Sequence, residues 1–209
     1  MKVMLVNGSP HEHGCTDAAL QIIAKELKEQ GVDSEIFWIG TKPVRGCIGC
    51  SACKNNNGAG CVFQDDVLAQ LAPKVKEADG YVFGSPVHYA SAGGAMTAIM
   101  DRLFYSSGQD LWYKPAAVVV SARRAGTTAT YDQLNKYLGI NRMIVVPSSY
   151  WNMVHGSKAE EVYQDAEGVN IMRQIASSMV WVLKLLEEGK KAGLEKPVEI
   201  PVVRTNFIR

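Results

Sequence analysis

The 209-residue chain is defined first by what it lacks. No stretch approaches eighteen consecutive apolar residues, so no membrane-spanning helix is expected. The amino terminus runs directly into a short apolar strand without the long apolar stretch and small-residue cleavage site of a secretory leader, which favours the cytoplasm. Formal net charge is only +1, with no long run of either sign. The basic footprint of a nucleic-acid binder is therefore missing. No G-x-G-x-x-G opens a helix, no G-x-x-x-x-G-K-[ST] occurs, and no G-x-S-x-G elbow is found. A phosphatase-type Cys with Arg six residues later is also absent, because Cys15 is followed at that distance by Gln21. There is no internal repeat, and the one low-complexity patch is Asn55-Asn-Asn-Gly58.

What remains is an ordinary globular composition, 47% hydrophobic and 21% charged, with ample chain for a core. Apolar runs of strand length begin at Val3, Ser34, Gly80, Ala116 and Met143. Helical spacing separates them: Ala19, Ile22, Ile23 and Leu27; then Val67, Leu68, Leu71 and Val75; then Met96, Ile99, Met100 and Leu103. Pro73 is expected to kink or split its helix. A long last helix is predicted from about Gln164 to Glu187. Regular alternation of strand and helix predicts an α/β fold, a parallel sheet covered on both faces. Five strands fit the flavodoxin-like order 2-1-3-4-5. One domain is expected over residues 1–188, followed by an irregular extension over 189–209 that contains Pro197 and Pro201 and is a candidate to pack on a partner subunit.

In this architecture ligands bind beyond the carboxyl ends of the strands, where strand order reverses. The loops that open there carry the unusual chemistry. Asn7-Gly-Ser-Pro10 breaks the first strand, and a helix starts near Thr16. Such a junction is either a plain capped turn or an anion site, where unpaired helix N–H groups and the helix dipole face a phosphate. The second loop has Ser85-Pro-Val-His-Tyr89. The third offers Ser121, Arg123, Arg124, Thr127 and Thr128. One phosphate joined to a flat, partly polar ring system would use all three.

Gly8-Ser-Pro-x-x-x-Gly-Cys-Thr16, Ser85-Pro-Val-His-Tyr89 and Met100-Asp-Arg102 together resemble the NADPH-dependent FMN reductases, in particular their iron–sulfur flavoprotein branch. The resemblance covers about residues 1 to 150. It implies a flavodoxin-like fold that binds FMN and takes electrons from NAD(P)H. By position, it implies that Ser9, His11, Cys15 and Thr16 hold the FMN phosphate, and that Pro86, Val87, His88 and Tyr89 line the isoalloxazine. It further implies that Ser121, Arg123, Gly126 and Thr127 meet the pyrimidine edge. The chain departs from the pattern at His11, where relatives often carry Arg or Lys, at Cys15 for Asn, at His88 for Tyr and at Thr97 for Lys.

Four of the five cysteines crowd into Cys47-x2-Cys50-x2-Cys53-x7-Cys61. Two-residue gaps let thiolates of one curled loop reach three corners of a cubane, and Asn55–Gly60 permits the positive φ angles needed to return the fourth. The spacing matches the cysteine motif that ligates a 4Fe-4S cluster in iron–sulfur flavoproteins. A structural zinc and an empty loop are the competing readings. Asp101-Arg102 is read as an ion pair or cap at the end of its helix. Trp112, Tyr113, Tyr150 and Trp151 are read as covers for a flavin or as core.

The expectation is an FMN-dependent oxidoreductase passing electrons to a small-molecule acceptor such as a quinone, flavin or nitro compound. An electron-transfer relay and a flavin-binding redox sensor are the alternatives. A homodimer or homotetramer is expected.

Overall fold

A computed structural model describes residues 1–208. Strand β1 (Lys2–Asn7) leads to helix α1 (Cys15–Glu29), strand β2 (Asp33–Trp38), the short helix α2 (Ala52–Asn55) and helix α3 (Val67–Glu77). Next come strand β3 (Gly80–His88), the two-residue strand β4 (Ser91–Ala92), helix α4 (Gly94–Leu111), strand β5 (Pro115–Ala122) and helix α5 (Thr127–Ile140). Strands β6 (Ile144–Val145) and β7 (Met153–His155), the short helix α6 (Ala159–Val162) and helix α7 (Ala166–Lys191) complete the order.

The sheet runs β2-β1-β3-β5-β6, with β7 also paired to β5. All these pairings are parallel; only β4 folds back antiparallel on β3. The flavodoxin-like order 2-1-3-4-5 is thus realised, with its last position shared by two short strands. The sequence expectation of one strand over residues 143–146 is corrected here. Pro147 has no N–H to donate to a ladder, and the chain leaves the sheet before re-entering at Met153. Asn152 seals the gap: its Nδ2 donates to Val118 O at 3.0 Å, and its carbonyl accepts from Val120 N at 2.9 Å.

Side chains alternate across each central strand, as the strand period of two requires. Val3, Leu5, Val82, Ala117 and Val119 face one core, covered by α1 and α7. Met4, Val6, Tyr81, Phe83, Ala116 and Val118 face the other, covered by α3, α4 and α5. The central strands are apolar on both faces because both faces are covered.

Two further expectations change. Pro73 does not split α3; Val67–Glu77 is one helix, with Asp66 capping its start by accepting from Leu68 N at 3.1 Å. Asp101 and Arg102 lie in the middle of α4 and do not pair with each other. Arg102 pairs with Asp66, and Asp101 accepts from the Tyr137 hydroxyl. Beyond Lys191 the described chain is irregular and exposed, tethered by Lys196 to Trp112 O and by Glu199 to Arg142. No helix among the described residues is long and apolar enough to cross a membrane.

Candidate functional site

Because β1 sits between β2 and β3, its crossover α1 lies on one face while α4, after β3, lies on the other. The two connections diverge and leave a crevice at the carboxyl edge. Close packing at that edge depends on two glycines. Gly8 N donates to Gly84 O at 2.8 Å. A Cβ on Gly8 would meet that same oxygen at 2.8 Å, and one on Gly84 would meet Thr16 Cγ2 at 2.9 Å. Only a residue without Cβ lets the first loop and α1 lie this near β3.

The first loop is tied from below. Asn7 Oδ1 accepts from Ser9 N at 3.0 Å, and Asn7 Nδ2 donates to Glu12 O at 3.0 Å. Trp38 Nε1 donates to Ser9 O at 2.8 Å, and Ser9 Oγ accepts from His11 N at 3.1 Å. Gly14 stands at the N-cap of α1 and offers no capping side chain. The first N–H groups of the helix therefore remain available to an outside acceptor. Thr16 Oγ1 and Ser121 Oγ lie 2.8 Å apart, joining the first loop to the end of β5.

These loops enclose an open crevice of about 480 Å³, within the roughly 300–1,000 Å³ of ordinary small-ligand sites. Ser9, His11, Cys15, Thr16, Pro86, Val87, Ser121 and Arg123 all line it. The structure brings together the parts expected from three separate loops. Four expected residues stand apart from the lining. His88 and Tyr89 form the tip of the β3–β4 hairpin and point to solvent, Tyr89 with its side chain fully exposed. Gly126, at φ 94°, and Thr127 lie behind the hairpin: a Cβ on Gly126 would meet Ala90 Cα at 2.7 Å. Gln133 of α5 holds the hairpin by accepting from Ser91 Oγ at 2.7 Å and Ala92 N at 2.8 Å.

A fourth loop joins the crevice without having been expected. Gly156, Ser157, Lys158, Ala159 and Glu160 follow β7 and line its wall. Asp165 organises this loop, accepting from His155 N at 2.8 Å while also capping α7 through Gly168 N at 2.9 Å. The Cys15 thiol donates to Gly156 O at 3.3 Å. Burial pushes the Cys15 pKa up, helped by Glu161 and Glu160, so this sulfur is a neutral donor at neutral pH rather than a nucleophilic thiolate. His11, His13, Arg123 and Lys158 line the crevice together with a single carboxylate, Glu160. Asn7 was read only as part of the turn that breaks the first strand, and the roles of Trp38 and Lys158 were not expected from the sequence. A Gly-Ser-Lys turn after an apolar strand was the available signal for the last.

The expected aromatic covers do not line the crevice. Trp112 and Tyr113 precede β5, at its opposite end, where the Arg142 guanidinium sits 4.2 Å from the Trp112 ring. Tyr150 and Trp151 pack edge-on with ring centroids 4.6 Å apart.

The cysteine segment forms a separate concavity against α4. Cys47, Cys50, Cys53 and Cys61 all line it, with Arg102, Tyr105 and Ser106, around a cavity of about 20 Å³. Asn57 (φ 55°), Gly58 (φ 83°) and Gly60 (φ 85°) adopt the left-handed turns expected of the return loop. Cys47 and Cys50 are exposed, while Cys53 and Cys61 are partly buried. Among the described residues no three His, Cys, Asp or Glu side chains converge on one metal ion. The metal-ligating side chains that line the concavity are all thiols, with no carboxylate or imidazole, a set whose chemistry suits an iron–sulfur cluster or a four-cysteine zinc.

The family described as NADPH-dependent FMN reductase matches residues 1–158. The chain belongs to that family. This FMN reductase family member is accordingly an FMN-dependent flavoprotein oxidoreductase that draws on reduced nicotinamide. It is 30% identical over 196 residues to an iron–sulfur flavoprotein of Methanocaldococcus jannaschii, covering 90% of this chain and 100% of that one. Its fold is shared with the crystal structure of RosB bound to 8-demethyl-8-formylriboflavin-5'-phosphate, at a TM-score of 0.71 and 15% identity, covering 99% of this chain and 92% of the other. An archaeal flavodoxin superposes at a TM-score of 0.60 and 16% identity, over 88% of this chain and 99% of that one.

Proposed function

We propose that this family member moves electrons from reduced nicotinamide, through FMN in the crevice, to a small acceptor such as a quinone, a flavin or a nitro compound. The observation that carries the reading is the convergence of loops after β1, β3, β5 and β7 on one crevice at the amino end of α1. Bound FMN supplies hydride and one-electron chemistry of its own; the protein supplies position and electrostatics. The N–H groups at the start of α1, with Ser9, Thr16 and His11, would receive the phosphate, and Lys158 would add charge at the rim. Pro86 and Val87 give an apolar wall for the ring, and Ser121 and Arg123 give donors for its polar edge. His88, Tyr89, Gly126 and Thr127 would act from the hairpin and its backing. The exposed Trp181 and Leu185 on α7, and the apolar residues of the 189–209 extension, support a homodimer or homotetramer.

We further propose that Cys47, Cys50, Cys53 and Cys61 hold a 4Fe-4S cluster, making the protein a relay that delivers single electrons. Two observations favour this: the four thiols share one concavity, and the M. jannaschii relative is named an iron–sulfur flavoprotein. The test is the absorbance spectrum after anaerobic purification and reconstitution with iron, sulfide and FMN. Flavin bands with a broad brown shoulder are expected, and Cys50→Ser is expected to lose the shoulder and keep the flavin bands. A colourless protein that does not bind FMN at micromolar concentration would refute the flavin reading. A purely flavin spectrum in the wild type would refute the cluster reading alone.

A further inference from the structure

Arg102 is the largest side chain buried in the molecule, 1% exposed in the middle of α4. A buried guanidinium is costly unless its donors are matched, and this one is matched almost entirely to the cysteine segment. Nη1 donates to Arg45 O at 3.1 Å and pairs with the Asp66 carboxylate. Nη2 donates to Phe63 O at 3.1 Å. Nε donates to Cys61 Sγ at 3.4 Å. The first three bonds pin both ends of the cysteine segment, at residues 45 and 63–66, against α4. Asp66 is also the cap of α3, so its carboxylate is satisfied without help from Nε. The bond to sulfur is therefore additional to what holding the loop requires.

We propose that Arg102 is a positioning residue for Cys61 and that its Nε–H···Sγ bond raises the reduction potential of a cluster held by the four cysteines; this rests on the cluster reading above. Reduction takes one electron from the reduced flavin of the proposed relay, breaks no bond and moves no proton at the cluster. The added negative charge spreads partly onto the ligand sulfurs. A donor hydrogen bond and a nearby guanidinium favour the form with more negative sulfur, which is the reduced form. Asp66 offsets the guanidinium's net charge, so the directed N–H bond carries more of the effect than charge alone.

The test uses the full chain, reconstituted anaerobically, as wild type, Arg102→Gln and Arg102→Lys. Iron and sulfide are counted first, and the cluster's EPR signal is then titrated with dithionite. We expect Arg102→Gln to shift the oxidised-to-reduced balance at least tenfold towards oxidised, a fall of about 59 mV for one electron. Arg102→Lys should fall in the same direction by less. An Arg102→Gln variant with wild-type iron and an unmoved midpoint overturns the proposal and leaves the cluster reading standing. If that variant does not fold or load, Arg102→Lys decides by the same titration. If neither loads, the Arg45→Lys variant, which keeps Arg102, is grown with guanidinium-labelled ¹⁵N-arginine and decides. A ¹⁵N coupling to the reduced cluster in ENDOR supports the bond, and its absence overturns it. A wild type that takes up no iron overturns the cluster reading and this proposal together.

Discussion

Gly84→Ala probes the tightest point of the crevice. The new Cβ would lie 2.9 Å from Thr16 Cγ2, with Leu20 Cδ1 at 3.3 Å and Cδ2 at 3.4 Å. Real carbon atoms do not approach to 2.9 Å, and Thr16 is locked on its other side by Ser121. Relief requires α1 to move off the sheet by several tenths of an ångström. Overpacking of this kind costs about 1–3 kcal/mol. For a domain of this size each kcal/mol lowers Tm by roughly 2–4 °C, so a fall of about 2–12 °C is expected in the apo-protein. The same movement displaces the phosphate-facing turn, and a loss of about 1.4 kcal/mol there is a tenfold weaker FMN Kd. Gly139→Ala is the matched control. A Cβ there meets nothing within 4 Å, and the site is inside α5. Replacing glycine in a helix is stabilising by roughly 0.5–1 kcal/mol, so Tm should rise and FMN affinity should not change. The measurements are thermal unfolding followed by circular dichroism, and FMN titration followed by flavin fluorescence. If Gly84→Ala matches the wild type in both, the close packing of α1 on β3 does not set the site.

Further outcomes follow from other residues. Asn7→Ala removes both side-chain bonds that tie the first loop, to Ser9 N and Glu12 O. Leaving a buried polar group unsatisfied costs about 1–3 kcal/mol, and FMN affinity in the same fluorescence titration should fall roughly tenfold or more. Lys158→Ala should weaken FMN more than riboflavin and flatten the salt dependence of FMN binding, because a charge facing phosphate is screened by ions. Glu26 on α1 accepts from Arg173 on α7 at 2.8 Å and from Gln30, and these bonds hold its carboxyl below the ordinary glutamate value. A depressed pKa stabilises above the unfolded value and is lost as pH falls through the folded one. Glu26→Gln should therefore cost about 0.5–1 kcal/mol near neutrality and nothing once the wild-type carboxyl is protonated. Urea midpoints at pH 7 and pH 3 should diverge and converge accordingly.

The chain's own alternation of apolar runs and helical stripes determined the α/β class, because periodicity is local. The strand order and the ligand-binding edge followed from the rules of doubly wound sheets applied to that alternation. Val3 to Val6 read as one short buried strand, and the structure places its side chains alternately in two cores. The crowding of Cys47, Cys50, Cys53 and Cys61 and the turn-forming Asn55–Gly60 between them were likewise legible, because ligand spacing along one loop is a property of sequence. The split of the last sheet position was not legible. It depends on Asn152 bridging two carbonyl and amide groups of β5, a pairing between residues far apart in the chain. Pro73 leaves α3 in one piece for a related reason: packing of Leu68, Leu71 and Val75 against the second core holds the helix together despite one missing N–H. Asn7 carries only a turn signal, and Trp38 and Lys158 carry no motif of their own; only the meeting of four loops gives them a place at the crevice. The same holds for Arg102. Its neighbour Asp101 suggested a pair within α4, whereas burial turned the guanidinium to Asp66, Phe63 and Cys61, the partners that only folding brings within reach.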